Sequence, residues 1–423
     1  MNENQKNAIV VSLNDDVSEI LQLAESLGYK VFKTFIQRRK IPDVNSYVGP
    51  GKVEEIEEFI DNYDENVGLI IVDGELKPSQ WFILEKRLNV EVYDRVRLIL
   101  AIFEERADRK EARLQVRLAQ LQYERPFVRE LIHRARAGEH PGFMAGGEYQ
   151  VDDYYEMIKK QMKKIRGDLE KIRNEREVRR RHRHISGFYL VSLTGYTNAG
   201  KSSLLNLLSG EKVKVEGRLF STLSTTTRKI NNKNVPILLT DTVGFIQNLP
   251  AWIIDAFHST LEEIEVADVV LLVVDVNEDK EIVGKKLEVS LDELVEIGVT
   301  SSVIIVLNKI DMLTEGELDT RIEYLQKLGL TKNKKMIPVS VKNRLNVDEL
   351  LETIYESLPH VVRVKIRLPV NEKTQSFISW IYEKAHVSDI LYDEYVTLSV
   401  ECNVRIRDKI VSRCQDLQGL VIQ

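Results

Sequence analysis

Three rhythms of apolar and polar positions succeed one another along the chain. Over roughly the first hundred residues, short unbroken apolar runs alternate with stretches of helical spacing. Ala8 to Leu13, Tyr29 to Phe35, Leu69 to Val72 and Val90 to Tyr93 read as strands. Between them, Val17, Ile20, Leu21, Ala24 and Leu27 share a helical face that stops at Gly28, and Val53 to Ile60 returns to that spacing. Pro78 is placed to open a further helix. Strands alternating with helices imply a small parallel sheet.

The second rhythm is purely helical. From Arg95 to Ala137 charges dominate, and Leu114, Leu118 and Leu121 step by four and three. Ile158, Met162, Ile165, Leu169 and Ile172 keep the same alternation in a second stretch from Val151 to His184, which is the narrow seam of a coiled coil. At about 1.5 Å per residue that helix is roughly 50 Å long. Between the two stretches, Ala137 to Glu148 holds four glycines and a proline, which exclude regular structure. The expected unit is an antiparallel helical hairpin closed by an irregular loop.

From Gly187 strands and helices alternate again, with strands expected at Phe188 to Leu193, Pro236 to Thr240, Val269 to Val274, Val303 to Leu307 and Met336 to Val339. This region ends near Leu358-Pro359. Beyond it, Val362, Val364, Ile366 and Leu368, then Val396, Leu398 and Val400, alternate as half-buried strands do. The architecture expected is α/β. It comprises an N-terminal α/β subdomain (1–104), a long helical hairpin (105–186), a second α/β domain (187–360) and a small C-terminal α+β domain (361–423).

Composition adds little to that picture except in charge. Hydrophobic residues make up 43% and charged residues 30%, ordinary for a globular chain. The formal net charge of -6 excludes a chain that is basic as a whole. Against that background the second long helix stands out. It carries Lys159, Lys160, Lys163, Lys164, Arg166, Lys171, Arg173, Arg176, Arg179, Arg180, Arg181 and Arg183 with few acids, which tilts it toward contact with a phosphate backbone rather than a merely solvated face. The two cysteines, Cys402 and Cys414, lack metal-ligand spacing and read as free thiols of a reducing compartment. Met1 to Lys6 has no signal-peptide core, and the run Val269 to Val274 is too short to span a bilayer, so a cytoplasmic protein is expected.

The chemistry concentrates between Gly195 and Lys342. Gly195-Tyr196-Thr197-Asn198-Ala199-Gly200-Lys201-Ser202 follows an expected strand and opens an expected helix, the context a phosphate loop requires. Its glycines let successive backbone N–H groups face phosphates, Lys201 reaches the β- and γ-phosphates, and the Ser202 hydroxyl suits Mg²⁺. Asp241-Thr242-Val243-Gly244 follows the next strand. Asp241 there can hold Mg²⁺ through a water, and the Gly244 N–H can sense a γ-phosphate. Asn308-Lys309-Ile310-Asp311 closes another apolar strand. The Asp311 carboxylate matches the paired N1–H and 2-amino donors of guanine, which adenine lacks. Ser340-Val341-Lys342 is placed to close over the base. Between these motifs, Phe220-Ser221-Thr222-Leu223-Ser224-Thr225-Thr226-Thr227 offers a threonine hydroxyl for Mg²⁺, and spacing alone leaves open which one. Phe245 and Ile246 follow Gly244, so no side chain there can orient the attacking water; Gln247 and His258 are the nearby alternatives. Slow intrinsic hydrolysis is expected.

Taken together, these stretches resemble the HflX family of ribosome-associated GTPases, and the resemblance covers most of the chain. It rests on Gly195 to Ser202, Phe220 to Leu223, Asp241 to Ile246, Leu249-Pro250, Ala256-Phe257 and Thr260 to Glu263. Upstream it includes Val48 to Ile56, Tyr93-Asp94-Arg95, Leu98 to Leu100 with Ile102-Phe103, and Gln115 to Leu121. The resemblance implies a P-loop GTPase domain and assigns the Mg²⁺ threonine to Thr222. It implies GTP hydrolysis stimulated by the large ribosomal subunit, a role in ribosome splitting or rescue, contact with ribosomal RNA, and a monomer, cytoplasmic and either on ribosomes or peripherally at a membrane. Lys201, Gly244 and Thr222 are then the catalytic positions. One departure stands: the family's hairpin loop closes on Gly-Pro-Gly-Glu, where this chain has Ala145-Gly146-Gly147-Glu148. Two other readings fit the residues. One is a GTP-gated switch whose hairpin docks a non-ribosomal protein. The other is an ATP-dependent RNA-remodelling activity at Gly49-Pro50-Gly51-Lys52, where a helix N-terminus could take an anion; a tight turn with a surface lysine is the favoured reading there.

Overall fold

The computed structural model describes residues 6–63, 66–136, 148–185, 188–210, 225–230, 236–245, 250, 252–253, 258–359 and 361–422. Two compact units divide within the second long helix: one holds Met1–Ile172, and the other resumes at Arg173.

The first unit opens with a four-stranded parallel sheet in the order β2-β1-β3-β4, from β1 (Lys6–Ser12), β2 (Tyr29–Ile36), β3 (Leu69–Val72) and β4 (Val92–Asp94). Helices α1 (Ser18–Ser26), α2 (Pro50–Asp61) and α3 (Pro78–Leu88) make the crossovers. All four residues of β3 are buried, as a central parallel strand covered on both faces must be. Ile9, Val11, Val53, Ile56, Ile70, Val72 and Leu84 form the core on one face.

β4 runs directly into α4 (Arg95–Arg106), whose Leu98, Ile99, Leu100, Ile102 and Phe103 are buried. Asp94 caps it by accepting from Arg97 N at 2.7 Å and holds Leu76 N at 3.0 Å with its other oxygen. Burial pushes this carboxyl up to about 6 despite those bonds. The single helical stretch expected from Arg95 to Ala137 is therefore two helices. The chain leaves helical geometry at Ala107 (φ -77, ψ 89) and restarts as α5 (Lys110–Arg136). Its counterpart α6 (Glu148–Ile185) carries the second half of the seam. Leu118, Leu121, Val128 and Ile132 of α5 pack against Ile158, Met162 and Ile165 of α6. The Ala137–Gly147 part of the glycine-rich loop lies outside the described residues.

The second unit contains a six-stranded sheet in the order β10-β9-β8-β5-β7-β6. Its strands are β5 (Tyr189–Thr194), β6 (Thr226–Lys229), β7 (Ile237–Asp241), β8 (Val269–Asp275), β9 (Ser302–Asn308) and β10 (Lys335–Val339). Only β6 runs antiparallel to its neighbour. Helices α7 (Lys201–Ser209), α8 (His258–Glu265), α9 (Lys280–Ile297), α10 (Glu315–Lys327) and α11 (Val347–Ser357) accompany it. Six of the seven residues of β8 are buried, which explains why its sequence is an unbroken apolar run rather than an alternation.

The C-terminal segment is an antiparallel sheet, β12-β13-β11-β14, of β11 (Val361–Pro369), β12 (His386–Tyr392), β13 (Tyr395–Asn403) and β14 (Leu420–Val421). Helices α12 (Glu372–Lys384) and α13 (Val404–Asp416) cover the face formed by Val364, Ile366, Leu368, Val396, Leu398 and Val400. Cys402 and Cys414 are free, buried thiols in that core, and burial raises both, Cys402 to about 12. Glu401 on β13 ties this sheet to α11 by accepting from Tyr355 Oη, and it also accepts from Arg363 Nε of β11 in its own sheet (2.7 Å). No helix among the described residues is long and apolar enough to cross a membrane.

Candidate functional site

The site assembles at the carboxyl ends of β5, β7 and β9, where an open parallel sheet leaves a crevice. The Gly195–Gly200 turn leaves β5 and enters α7 at Lys201. Gly195 has φ +129, and a Cβ there would lie 2.1 Å from the carbonyl oxygen of Val273 on β8. Gly200 has φ +100, with a hypothetical Cβ 2.2 Å from Asn308 Nδ2. Only glycine meets both demands. Asn198 adds a left-handed residue (φ 63) at the exposed apex.

Lys201 is 7% exposed, and its Nζ donates to the carbonyls of Gly195 (2.8 Å) and Tyr196 (2.7 Å). Burial pulls its ammonium down to about 8, while nearby Asp241 pushes the other way. Ser202 Oγ, one residue on, donates to Asp241 Oδ2 at 2.6 Å. A hydroxyl and a carboxylate in contact at a strand end form a hard-oxygen pair of the kind Mg²⁺ prefers. Thr242 Oγ1 donates to Leu193 O (2.7 Å) and so turns its side chain into the sheet. Val243 is buried, and Gly244 packs so closely that a Cβ would fall 2.7 Å from Lys201 Nζ and 3.0 Å from Thr197 N.

Phe245 then joins the two loops. Its N–H donates to Gly195 O and its carbonyl accepts from Thr197 N, each at 3.0 Å. The side chain at this position takes no part in that link, so sequence reasoning about a missing water-orienting group had no signal for it.

The loop that follows β9 is held from both sides. Asn308 Nδ2 donates to Ala199 O (2.8 Å), and its Oδ1 accepts from Val341 N (3.2 Å). Lys309 is left-handed (φ 72) and pairs with Asp275, the last residue of β8. Asp275 escaped the sequence reading; its register partner is Asn308, and a lone acid closing an apolar strand was the available signal. Ile310 begins a 3-10 turn that carries Asp311. Ser340 Oγ donates to Asp311 Oδ1 (2.5 Å) and accepts from Asn343 N (3.0 Å), which fixes the carboxylate. Lys342 is exposed beside it.

Of the other expected site residues, Phe220, Ser221, Thr222, Leu223, Ser224 and Gln247 lie outside the described residues. His258 begins α8. At the Gly49-Pro50-Gly51-Lys52 turn, Gly49 N donates to Gln37 Oε1 (2.7 Å) and Lys52 Nζ pairs with Glu55 (2.5 Å). Both groups an anion would use are engaged by neighbours, as a tight turn with a surface lysine implies.

A six-stranded sheet with one antiparallel edge, a glycine turn wrapping a buried lysine, and an asparagine-braced loop beside it define the class: this is a P-loop GTPase. Family models match in three blocks: a GTP-binding GTPase N-terminal region at residues 14–104, its middle region at 106–183, and a 50S ribosome-binding GTPase domain at 190–309. The GTPase HflX of Thermococcus kodakarensis is 40% identical over 385 residues, covering 89% of this chain and 86% of that protein. The GTPase HflX of Methanocaldococcus jannaschii is 40% identical over 396 residues, covering 93% and 95%. The chain belongs to the HflX GTPase family and hydrolyses GTP. Among solved structures, a GTP-binding protein from Sulfolobus solfataricus in complex with GDP is 29% identical, with a TM-score of 0.47, covering 83% of this chain and 98% of that one.

Proposed function

We propose that this GTPase acts on the large ribosomal subunit, in splitting or rescuing ribosomes, with its helical hairpin against ribosomal RNA. The observation that carries the reading is the division of labour on α6. Ile158, Met162 and Ile165 are buried against α5, while Lys160, Lys163, Lys164 and Arg166 between them are exposed. A helix that spends its apolar seam on its own hairpin and shows solvent a basic face suits a phosphate backbone. It is poorly suited to an apolar protein groove, because the seam such a groove would need is already used. The family model matched at residues 190–309, a 50S ribosome-binding GTPase, supports the same partner. The division into 1–104, 105–186, 187–360 and 361–423 is part of this proposal, as are a monomeric state and a cytoplasmic location.

Within the site, backbone N–H groups of Gly195 to Gly200 and the Lys201 ammonium hold the phosphates of GTP or GDP. Ser202, Thr222 and Asp241 would hold Mg²⁺, and the ion would supply charge neutralisation at the phosphates. The Gly244 N–H meets the γ-phosphate, and Asn308 to Asp311 with Ser340 to Lys342 enclose the base. No side chain at Phe245 can orient water, so hydrolysis is slow until the ribosome completes the site. Purified large subunits should raise GTP turnover at least about tenfold above the turnover measured without them, with Lys201→Ala as the blank, given the 10³- to 10⁵-fold that a supplied catalytic group contributes in related chemistry. Unchanged turnover with GTP still bound would exclude the ribosomal reading and redirect the search to a protein partner. ATP turnover that survives Lys201→Ala would instead favour an N-terminal activity.

Base selection gives a second test. Replacing Asp311 with asparagine leaves an amide facing guanine's two donors, and GTP affinity should fall by about 10²- to 10³-fold. Xanthosine triphosphate, which carries a carbonyl in place of the 2-amino group, should gain. Competition binding measures both, and an unaltered GTP affinity would remove Asp311 from base reading.

A further inference from the structure

The N-terminal unit contains a pocket of about 370 Å³ that the GTPase reaction does not use. It lies among α3, β4, α4 and α5, with Trp81, Tyr93, Arg97, Glu104, Glu124 and Phe127 at its walls. Trp81, Tyr93 and Phe127 are each only half-buried. Aromatic rings contributed from three different elements and left partly open around one cavity are more than a core requires.

Their orientations are fixed by neighbours. Trp81 and Phe127 meet edge to face at 5.5 Å, and Tyr123 backs Phe127 at 4.7 Å. The Tyr123 hydroxyl is itself tied to the Asp94 cap. The Arg97 guanidinium lies 4.2 Å from the centre of the Tyr93 ring and is anchored by Glu91 Oε1 (2.9 Å) and Val92 O (3.4 Å), so it presents a second flat surface. Polar groups gather on the remaining side. Gln120 Nε2 donates to Glu104 Oε2 at 2.7 Å, whereas Glu124 stands 3.8 Å from Arg117 NH1. Phe127 directly follows Pro126, a proline inside α5 that removes a helical hydrogen bond at this point of the wall.

We propose that this pocket receives one unstacked guanine base of RNA, stacked on its aromatic wall and read at its N1–H and 2-amino edge by Glu124. Flat aromatic and guanidinium surfaces are what single-stranded bases stack on, and a carboxylate at the edge supplies the readout. The volume is within the range of ligand pockets and admits a base. A cationic protein side chain is the poorer fit, because Arg97 already covers an aromatic face. The ribosomal reading bears on this proposal only as the source of the RNA.

The test uses the full chain saturated with GDP, carrying Trp252→Phe and Trp380→Phe so that Trp81 is its remaining tryptophan. Emission is followed while guanosine, adenosine or uridine trinucleotides are added, alongside an arginine-containing peptide. Guanosine trinucleotide should quench with a Kd at least tenfold below the other two. Glu124→Gln should erase that preference while leaving basal GTP hydrolysis unchanged, and Phe127→Ala should weaken all three by about tenfold. No quenching by any trinucleotide, quenching by the peptide alone, or a preference that survives Glu124→Gln would each overturn the proposal. GTPase stimulation by large subunits is read in parallel. Stimulation without quenching sinks the pocket alone, and quenching without stimulation sinks the ribosomal reading alone.

Discussion

Lys201→Ala is expected to lower GTP turnover by about 10³-fold, equivalent to about 4 kcal/mol of transition-state stabilisation. The lysine is already braced by the carbonyls of Gly195 and Tyr196, so its charge needs no reorganisation when phosphate charge develops. The same burial makes a second, independent signature. The folded protein holds the ammonium at about 8 instead of 10.5. Between those values the unfolded chain binds the proton and the folded one has released it, so stability rises with pH. Burial of the charged form costs roughly 3 kcal/mol below pH 8, and that cost is relieved as pH climbs toward 10.5. Denaturation of the nucleotide-free protein across this window should show the slope, and Lys201→Met should flatten it. Phosphate oxygens beside the ammonium favour its charged form, so nucleotide binding at pH 8 to 9 should take up a proton. Calorimetry in two buffers of different ionisation heat measures that uptake, and identical heats would show that the lysine stays charged throughout.

Among the described glycines, Gly195→Ala should be the most damaging single methyl. Its φ of +129 is closed to other residues, and the new carbon would meet a backbone oxygen of β8 at 2.1 Å. That oxygen belongs to a central strand and cannot yield. A loss beyond about 4 kcal/mol is expected, seen in urea denaturation as a collapsed midpoint. Gly298→Ala is the control. Its φ is +90 but nothing lies within 4 Å, so it isolates backbone strain at about 1 to 2 kcal/mol. Equal losses in the two variants would mean that the contact with Val273 contributes nothing.

How far the sequence could be read depended on where the determining contacts lie. Leu69–Val72 and Pro78 gave the strand and the helix start to the residue, because burial on both faces and a fixed φ are written locally. The Gly195–Gly200 turn and the Asn308–Asp311 loop were placed for the same reason: each follows its own strand as one contiguous segment. β6 was missed. Its Thr-Thr-Arg-Lys has no apolar alternation, and it is a strand through pairing with β7, including Thr227 Oγ1 to Thr240 Oγ1 at 3.0 Å. β12 was missed likewise, since its residues are half-buried or exposed along their length. The break between α4 and α5 hid in continuous charge, with no glycine or proline to mark it. The pocket draws Trp81, Tyr93, Arg97 and Phe127 from four elements, and no local pattern joins them. Thr222, Thr225, Thr226 and Thr227 present a choice of Mg²⁺ threonine that the sequence leaves to resemblance alone.

Asn308 has a further consequence. One side-chain amide spans from the phosphate loop at Ala199 to the base loop at Val341. On the proposed assignment, the two ends of a nucleotide are gripped by parts that share a keystone, and their contributions to affinity should not be separable. A nucleotide with the wrong base should be held less firmly at its phosphates too, and would escape sooner than the sum of its two contacts predicts. Fidelity in such a site is expressed as residence time, so that a miscognate triphosphate leaves before a slow hydrolytic step has occurred.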